Sequence, residues 1–139
     1  MGHTNGKMDT KKVIAVIGCG RIAVLSHFPA LSKMENVYIK YACDLILEKA
    51  ERMKETYPDI GYTITDYHVA LQDPEVDAVY VLTPNYAHYT ITMDALRAGK
   101  HVFCEKPITI NYELSKEMAA EAEKQGKILT IGVCNRYHK

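Results

Sequence analysis

The chain has 139 residues, of which 47% are hydrophobic and 24% are charged, and this composition excludes a disordered, collagen-like or coiled-coil protein. Its 17 basic and 17 acidic residues cancel, so no excess of cations is present to bind a nucleic-acid backbone or an anionic membrane. No apolar stretch is long enough to cross a bilayer and residues 1–12 lack the pattern of a secretory signal, so we expect a cytoplasmic protein with neither nucleic acid nor membrane as partner.

Short apolar runs alternate along the chain with longer segments of helical periodicity, which is typical of a parallel sheet covered by helices. Several runs are almost unbroken in aliphatic and aromatic residues, as expected for strands buried on both faces. Six strands are predicted, at residues 13–17, 37–43, 62–64, 78–82, 101–104 and 128–133. The sequence therefore predicts an α/β, doubly wound parallel sheet in one domain over residues 13–139, after a polar tail over residues 1–12.

Capping and breaking residues mark the predicted helices. Pro29 interrupts the first helical segment, which we expect to end or kink near Phe28 and to resume at Ala30. Two later helices are predicted to follow an Asn cap and to stop at a Gly in the left-handed conformation. They run from Asn85 to Gly99 and from Asn111 to Gly126.

A glycine-rich turn follows the first strand directly and opens the first helix. Its residues are Gly18, Cys19, Gly20, Arg21, Ile22 and Ala23, which form the GxGxxA version of the dinucleotide-binding fingerprint. Gly18 would permit the tight turn, and Gly20 would let a pyrophosphate approach the backbone at the positive end of the helix. The alternative is a glycine-rich turn that joins a strand to a helix for steric reasons alone.

Asp44 strengthens the nucleotide interpretation. It ends the second strand, where a carboxylate accepts hydrogen bonds from an adenosine ribose. The same carboxylate would repel the 2′-phosphate of NADP, and Leu45 beside it carries no compensating charge, so we expect NAD in preference to NADP. Alternatively, Asp44 caps the helix predicted over residues 45–57.

Polar side chains follow the later strands, at the edge where open parallel sheets bind ligands. Candidate ligand-binding residues after the fourth, fifth and sixth strands are Thr83, Asn85, His88, Glu105, Lys106, Asn135 and Arg136. Lys106 is the candidate for chemistry, because a lysine near a cationic nicotinamide ring, partly removed from water, could take the proton of a hydroxyl group. As plain alternatives, Lys106 and Glu105 are turn residues, His88 belongs to a helix first turn and Arg136 contacts only water.

The four cysteines, Cys19, Cys43, Cys104 and Cys134, form no CxxC pair, and no histidine stands at zinc-ligand spacing. They are expected to be reduced, buried thiols, and no metal site is predicted.

The order of GCGRIA, Asp44, TPNYAH, CEKP and the final NRY resembles the Gfo/Idh/MocA family, which includes glucose-fructose oxidoreductase and myo-inositol dehydrogenases. The resemblance implies that Lys106 is the catalytic lysine and that Pro107 follows a cis peptide bond. It also implies sugars or polyols as substrates and NAD as the cofactor, surrounded by Gly18, Cys19, Gly20, Arg21, Ile22, Asp44, Thr83, Asn85, His88 and Glu105.

Members of that family continue into a second domain that supplies most of the substrate pocket and the usual dimer surface, and residue 139 stands where that domain would begin. We therefore expect the cofactor half of an oxidoreductase, with homo-oligomers only when the second domain is present. Two alternatives stay open: a non-catalytic NAD-sensing or assembly module, and a methyltransferase, since a glycine-rich turn with an acidic strand end also suits S-adenosylmethionine.

Overall fold

A computed structural model of the chain describes residues 11–21, 23–83, 85–105 and 112–132. Six parallel strands form one sheet in the order β3-β2-β1-β4-β5-β6. The strands are β1 (Lys12–Ile17), β2 (Val37–Cys43), β3 (Tyr62–Ile64), β4 (Ala78–Val81), β5 (His101–Glu105) and β6 (Leu129–Gly132). The α/β class and all six predicted strands are confirmed, with described ends that shift by at most one residue.

The connections between the strands are helical. A π-helical turn (Ala23–His27) leads into α1 (Phe28–Ser32), and the later helices are α2 (Leu47–Thr56), α3 (His68–Leu71), α4 (Asn85–Arg97) and α5 (Tyr112–Gln125). Gly99 and Gly126 follow α4 and α5 with φ of 85° and 69°, as predicted for helix ends.

The expected break near Phe28 is found in the first helical segment, but the expected resumption at Ala30 is wrong. The winding changes between His27 and Phe28, so α1 includes Pro29 instead of resuming after it. Pro29 is the second residue of α1, a position at which the fixed φ of proline is compatible with the helix.

The order of the strands reverses at β1, which pairs with β2 on one side and with β4 on the other. The chain builds outward to β3, crosses over, and builds outward again to β6. In such sheets the helices that leave the two central strands diverge, and they open a crevice at the carboxyl ends of β1 and β4.

Each face of the sheet packs against its own helices. Alternate residues of β1 belong to different cores: Ile14 and Val16 lie in the one that contains Phe28, whereas Ala15 and Ile17 lie in the one that contains Leu96. Fully burying an aliphatic or aromatic side chain stabilises the fold by about 1.5–3 kcal/mol, so the two cores hold β1 and the turn that follows it in place.

The described residues also bear on the remaining structural expectations. Cys19, Cys43 and Cys104 are free and buried, and Cys134 lies outside the described residues. Within the described ranges, no cluster of three or more His, Cys, Asp or Glu side chains could hold a metal ion. None of the helices in those ranges combines the length and the apolar character that a membrane span needs.

Candidate functional site

The turn after β1 has a backbone conformation that only glycine adopts easily. Gly18 has φ of 105°, and a Cβ atom there would lie 2.8 Å from the carbonyl carbon of Leu82 and 2.9 Å from its oxygen. The Gly18 N–H donates a 2.7 Å hydrogen bond to the Cys43 carbonyl, and the Leu82 N–H donates a 2.8 Å bond to the Ile17 carbonyl. The turn is therefore held between the carboxyl ends of β2 and β4.

The second glycine of the turn faces open space. A Cβ atom on Gly20 would meet nothing within 4 Å among the described atoms. The Gly20 carbonyl accepts the N–H of Val24 at 3.0 Å, so helical winding begins here, and the first amides of a helix have no intrahelical acceptor. Arg21 is exposed beside them. An anion that approached Gly20 would meet free N–H donors and a cationic side chain.

Asp44 meets the glycine-rich turn directly. Its Oδ2 accepts a 2.8 Å hydrogen bond from the main-chain N–H of Cys19, and its Oδ1 accepts a 2.9 Å bond from the N–H of Ile46. The predicted role of Asp44 as the helix cap is wrong, because α2 begins only at Leu47. The hydrogen bond from the Ile46 amide instead forms a short turn between Asp44 and the helix. The carboxylate thus stands at the junction of β1 and β2, where the nucleotide interpretation requires it.

The buried thiols of Cys19 and Cys43 lie at this junction and remain neutral. Burial, followed by the negative charge of Asp44, raises the pKa of Cys19 to about 12, and the same two causes raise the pKa of Cys43 to about 12. Neither thiol therefore ionises near neutral pH.

The end of β4 contributes a second polar group to the same edge. Thr83 follows the strand, and its buried hydroxyl oxygen has no hydrogen-bond partner among the described residues. Leaving a buried hydroxyl unpaired costs about 1–3 kcal/mol, so the hydroxyl is suited to a ligand that supplies the missing partner. Helix α4 begins at Asn85, and its first turn buries the side chain of His88.

Glu105, the last residue of β5, contacts a residue that the sequence did not single out. Its Oε1 lies 2.9 Å from Nε2 of His27, which ends the π-helical turn, and the two side chains are only 15% and 16% exposed. The sequence gives no local signal for this pair, because 78 positions separate its members.

The predicted site residues Ile22, Lys106, Asn135 and Arg136 lie outside the described residues, as does the predicted cis peptide bond before Pro107. The structure brings together Gly18, Cys19, Gly20, Arg21, Asp44, Thr83 and Glu105 along the carboxyl edge of β1, β2, β4 and β5.

One cavity of the described part lies elsewhere. It has a volume of about 670 Å³ and is lined by Val37 at the start of β2, by Met34 and by Tyr57 after α2, among others. This groove opens at the amino end of β2, away from the strand ends that carry the predicted residues. In an open sheet the ligand crevice lies at the carboxyl ends, so the strand edge is the stronger candidate.

Comparison with known proteins agrees with the geometry of this edge. The family model GFO_IDH_MocA, described as an oxidoreductase family with an NAD-binding Rossmann fold, matches residues 12–133. Among curated relatives, an inositol 2-dehydrogenase/D-chiro-inositol 3-dehydrogenase of Lactiplantibacillus plantarum is 32% identical over 89% of the chain. The scyllo-inositol 2-dehydrogenase (NADP(+)) IolW of Bacillus subtilis is 30% identical over 90% of the chain.

Among solved structures, the 3-ketoreductase KijD10 of Actinomadura kijaniata, crystallised with NADP and TDP-benzene, superposes with a TM-score of 0.80 at 32% identity over 88% of the chain. The chain spans 36% and 34% of the two curated relatives and 37% of KijD10. The match is therefore to the dinucleotide-binding part of longer enzymes.

Proposed function

Because the chain belongs to the Gfo/Idh/MocA oxidoreductase family, we propose that it is the dinucleotide-binding domain of an enzyme that transfers hydride between a nicotinamide cofactor and a secondary alcohol of a sugar, polyol or derivative. The substrate class follows from the inositol dehydrogenases and the ketoreductase to which the chain is similar. The family match favours a dehydrogenase over a methyltransferase.

The contact between Cys19 and Asp44 is the observation that carries the proposal. It fixes a carboxylate 2.8 Å from the main chain of the glycine-rich turn. Each carboxylate oxygen has a second lone pair, so Asp44 can accept ribose hydroxyls while it keeps its present hydrogen bonds. In this arrangement Asp44 at the end of β2 would hold the adenosine ribose, Gly20 and Arg21 would hold the pyrophosphate, and residues at the ends of β4 and β5 would contact the nicotinamide half.

The groups present fit such a cofactor. Gly20 leaves room for the pyrophosphate, and the buried hydroxyl of Thr83 has the missing partner that a ligand would supply. We propose NAD in preference to NADP, because Asp44 would face the 2′-phosphate of NADP, and the neighbouring Leu45 is 88% exposed and uncharged. Relatives that use or bind NADP make this preference a matter for measurement.

The chemistry assigns one role to the cofactor and the others to the protein. The nicotinamide ring, when bound, takes up or releases the hydride. Lys106 follows Glu105 at the end of β5, and we assign to its amine the proton of the substrate hydroxyl. Thr83, Asn85, His88 and Glu105 are assigned to the nicotinamide half of the cofactor, and Asn135 and Arg136 to the phosphate or the substrate.

Titration of the chain with NADH, followed by the fluorescence of the reduced nicotinamide, tests the proposal. The wild type should bind NADH, and Asp44→Ala should weaken binding by about tenfold, as expected when hydrogen bonds to a charged group are lost. Leu129→Ala, on the remote edge strand, is the matched control and should bind as the wild type does. If the wild type does not bind NADH, or binds it equally after Asp44→Ala, the proposed function is wrong.

A further inference from the structure

The pair formed by His27 and Glu105 joins the first helical segment to the end of β5. The distance of 2.9 Å between Nε2 and Oε1 is that of a good hydrogen bond, and both side chains are largely withdrawn from water. A hydrogen bond to an ionised carboxylate is shorter and stronger than one between neutral groups. The contact therefore restricts both side chains more than an exposed ion pair would.

Aromatic packing determines where the imidazole of His27 lies. Its ring centroid is 5.5 Å from that of Phe103 and 6.1 Å from that of Tyr80, and the latter two rings are 4.9 Å apart. Phe103 and Glu105 are alternate residues of β5, so their side chains leave the same face of the sheet. The ring of His27 thus rests on one of them and directs Nε2 to the other.

Glu105 occupies a critical position in the proposed enzyme. It ends a strand of the nicotinamide half and directly precedes Lys106 in the chain. Without a hydrogen-bond donor, the Glu105 side chain would sample several rotamers, and its carboxylate would occupy a different position in each. With His27 as the donor, one carboxylate oxygen is fixed, and the other, which has no hydrogen-bond partner within the described ranges, can accept hydrogen bonds from a ligand.

We propose that His27 is a positioning residue for the nicotinamide half of the site. It acts by donating a hydrogen bond from Nε2–H to Oε1 of Glu105. The proposal rests on the proposed function, and it adds a residue outside the glycine-rich turn and outside the strand ends. The proposal predicts different effects on the two halves of the cofactor. A change at His27 should affect the contacts of the nicotinamide half and leave the adenosine and pyrophosphate contacts unchanged.

Calorimetric titration with NADH and with ADP, which lacks the nicotinamide and its ribose, tests the proposal on the chain as it is. His27→Phe keeps a ring on Phe103 and removes the donor, whereas His27→Gln keeps an N–H at similar reach. For His27→Phe we expect the preference for NADH over ADP to fall by about tenfold, while ADP affinity stays within about twofold. His27→Gln should restore the preference to within about threefold of the wild type. Thermal melting of each variant confirms that it is folded.

The same titrations on Glu105→Gln, and on the double variant with His27→Phe, complete a double-mutant cycle. If His27 acts through Glu105, adding His27→Phe to Glu105→Gln should have no further effect on the preference. Glu105→Gln alone, which leaves His27 in place, should lower the preference to the same extent, and this test does not require His27→Phe to fold. An unchanged preference in His27→Phe, an equal loss for both ligands, or full additivity of the two changes overturns the inference and leaves the proposed function intact. A wild type that binds neither ligand overturns both.

Discussion

The main-chain N–H of Cys19 donates a 2.8 Å hydrogen bond to Oδ2 of Asp44, 25 residues further along the chain. The bond connects the turn after β1 to the residue after β2, so the proposed pyrophosphate and ribose contacts cannot shift independently. Asp44 is also fixed by the Ile46 amide, and it is therefore oriented before any ligand arrives.

Gly18 should be irreplaceable for stability. Gly18→Ala places a Cβ atom 2.8 Å from the backbone of Leu82 in addition to imposing a positive φ, so we expect a loss of at least about 3 kcal/mol in the free energy of unfolding. Gly99→Ala is the matched control: φ is 85° there but a Cβ atom meets nothing within 4 Å, so only about 1 kcal/mol should be lost. Urea denaturation measures both, and equal losses would contradict the assigned backbone contact.

Gly20 should matter for binding and little for the fold. Gly20→Val fills open space, so the midpoint of thermal unfolding should change little, whereas NADH affinity should fall at least about tenfold because the side chain occupies the place proposed for the pyrophosphate. Fluorescence titration and thermal melting of the same sample separate the two effects. Wild-type affinity in a folded Gly20→Val variant would place the phosphates elsewhere.

The charge at residue 44 should set the cofactor preference. We expect the wild type to bind NADH at least about tenfold more tightly than NADPH, because the Asp44 carboxylate repels a 2′-phosphate. The double variant Asp44→Ser with Leu45→Arg removes that charge and adds a cation, so the preference should reverse. Lys49→Arg, which keeps its charge, controls for the added guanidinium. A preference that does not respond to the double variant would remove Asp44 from the ribose site.

Asp73 should make stability depend on pH in the acid range. Burial alone would raise its pKa, but hydrogen bonds from Lys40, the Glu75 amide and the Tyr41 hydroxyl outweigh burial and lower the pKa to about 2. Because the pKa is lower in the folded state, the unfolded chain binds more protons below about pH 5, and the stabilisation is present above the unfolded pKa and lost as the pH falls toward about 2.

The free energy of unfolding of the wild type and of Asp73→Asn, measured from about pH 6 to pH 2, checks this expectation. The advantage of the wild type should shrink as the solution becomes more acidic, and Lys40→Met should reduce the same pH dependence by removing a donor. A constant difference between wild type and Asp73→Asn would contradict the assigned contacts.

Local patterns were sufficient to predict the strands and the glycine-rich turn. Strand β2 matches its predicted limits because its apolar run is flanked by polar residues, and Gly18 is followed at once by a helix start. Helix α2 begins two residues later than predicted because the Asp44 carboxylate accepts hydrogen bonds from the amides of Cys19 and Ile46 and does not cap the helix. No local pattern specifies the contact with Cys19.

Contacts between distant residues account for the features that the sequence did not reveal. His27 lies in a mostly apolar segment, and its partner comes 78 positions later. Lys100 is only 5% exposed, since its amine donates to the carbonyls of Asp73 and Val76 at 2.7 and 2.9 Å. A lysine after a helix stop is normally on the surface, so only the folded chain shows that this one is structural.

The π-helical turn over Ala23–His27 has an evolutionary consequence. A π-helical turn contains one more residue than an α-helical turn, so every side chain after it is displaced by one position around the axis, or about 100°. Gain or loss of a single codon in this stretch would exchange the side chain that faces the end of β5 without disturbing the sheet. Relatives could thus acquire or lose the histidine donor through a change of length as well as through substitution.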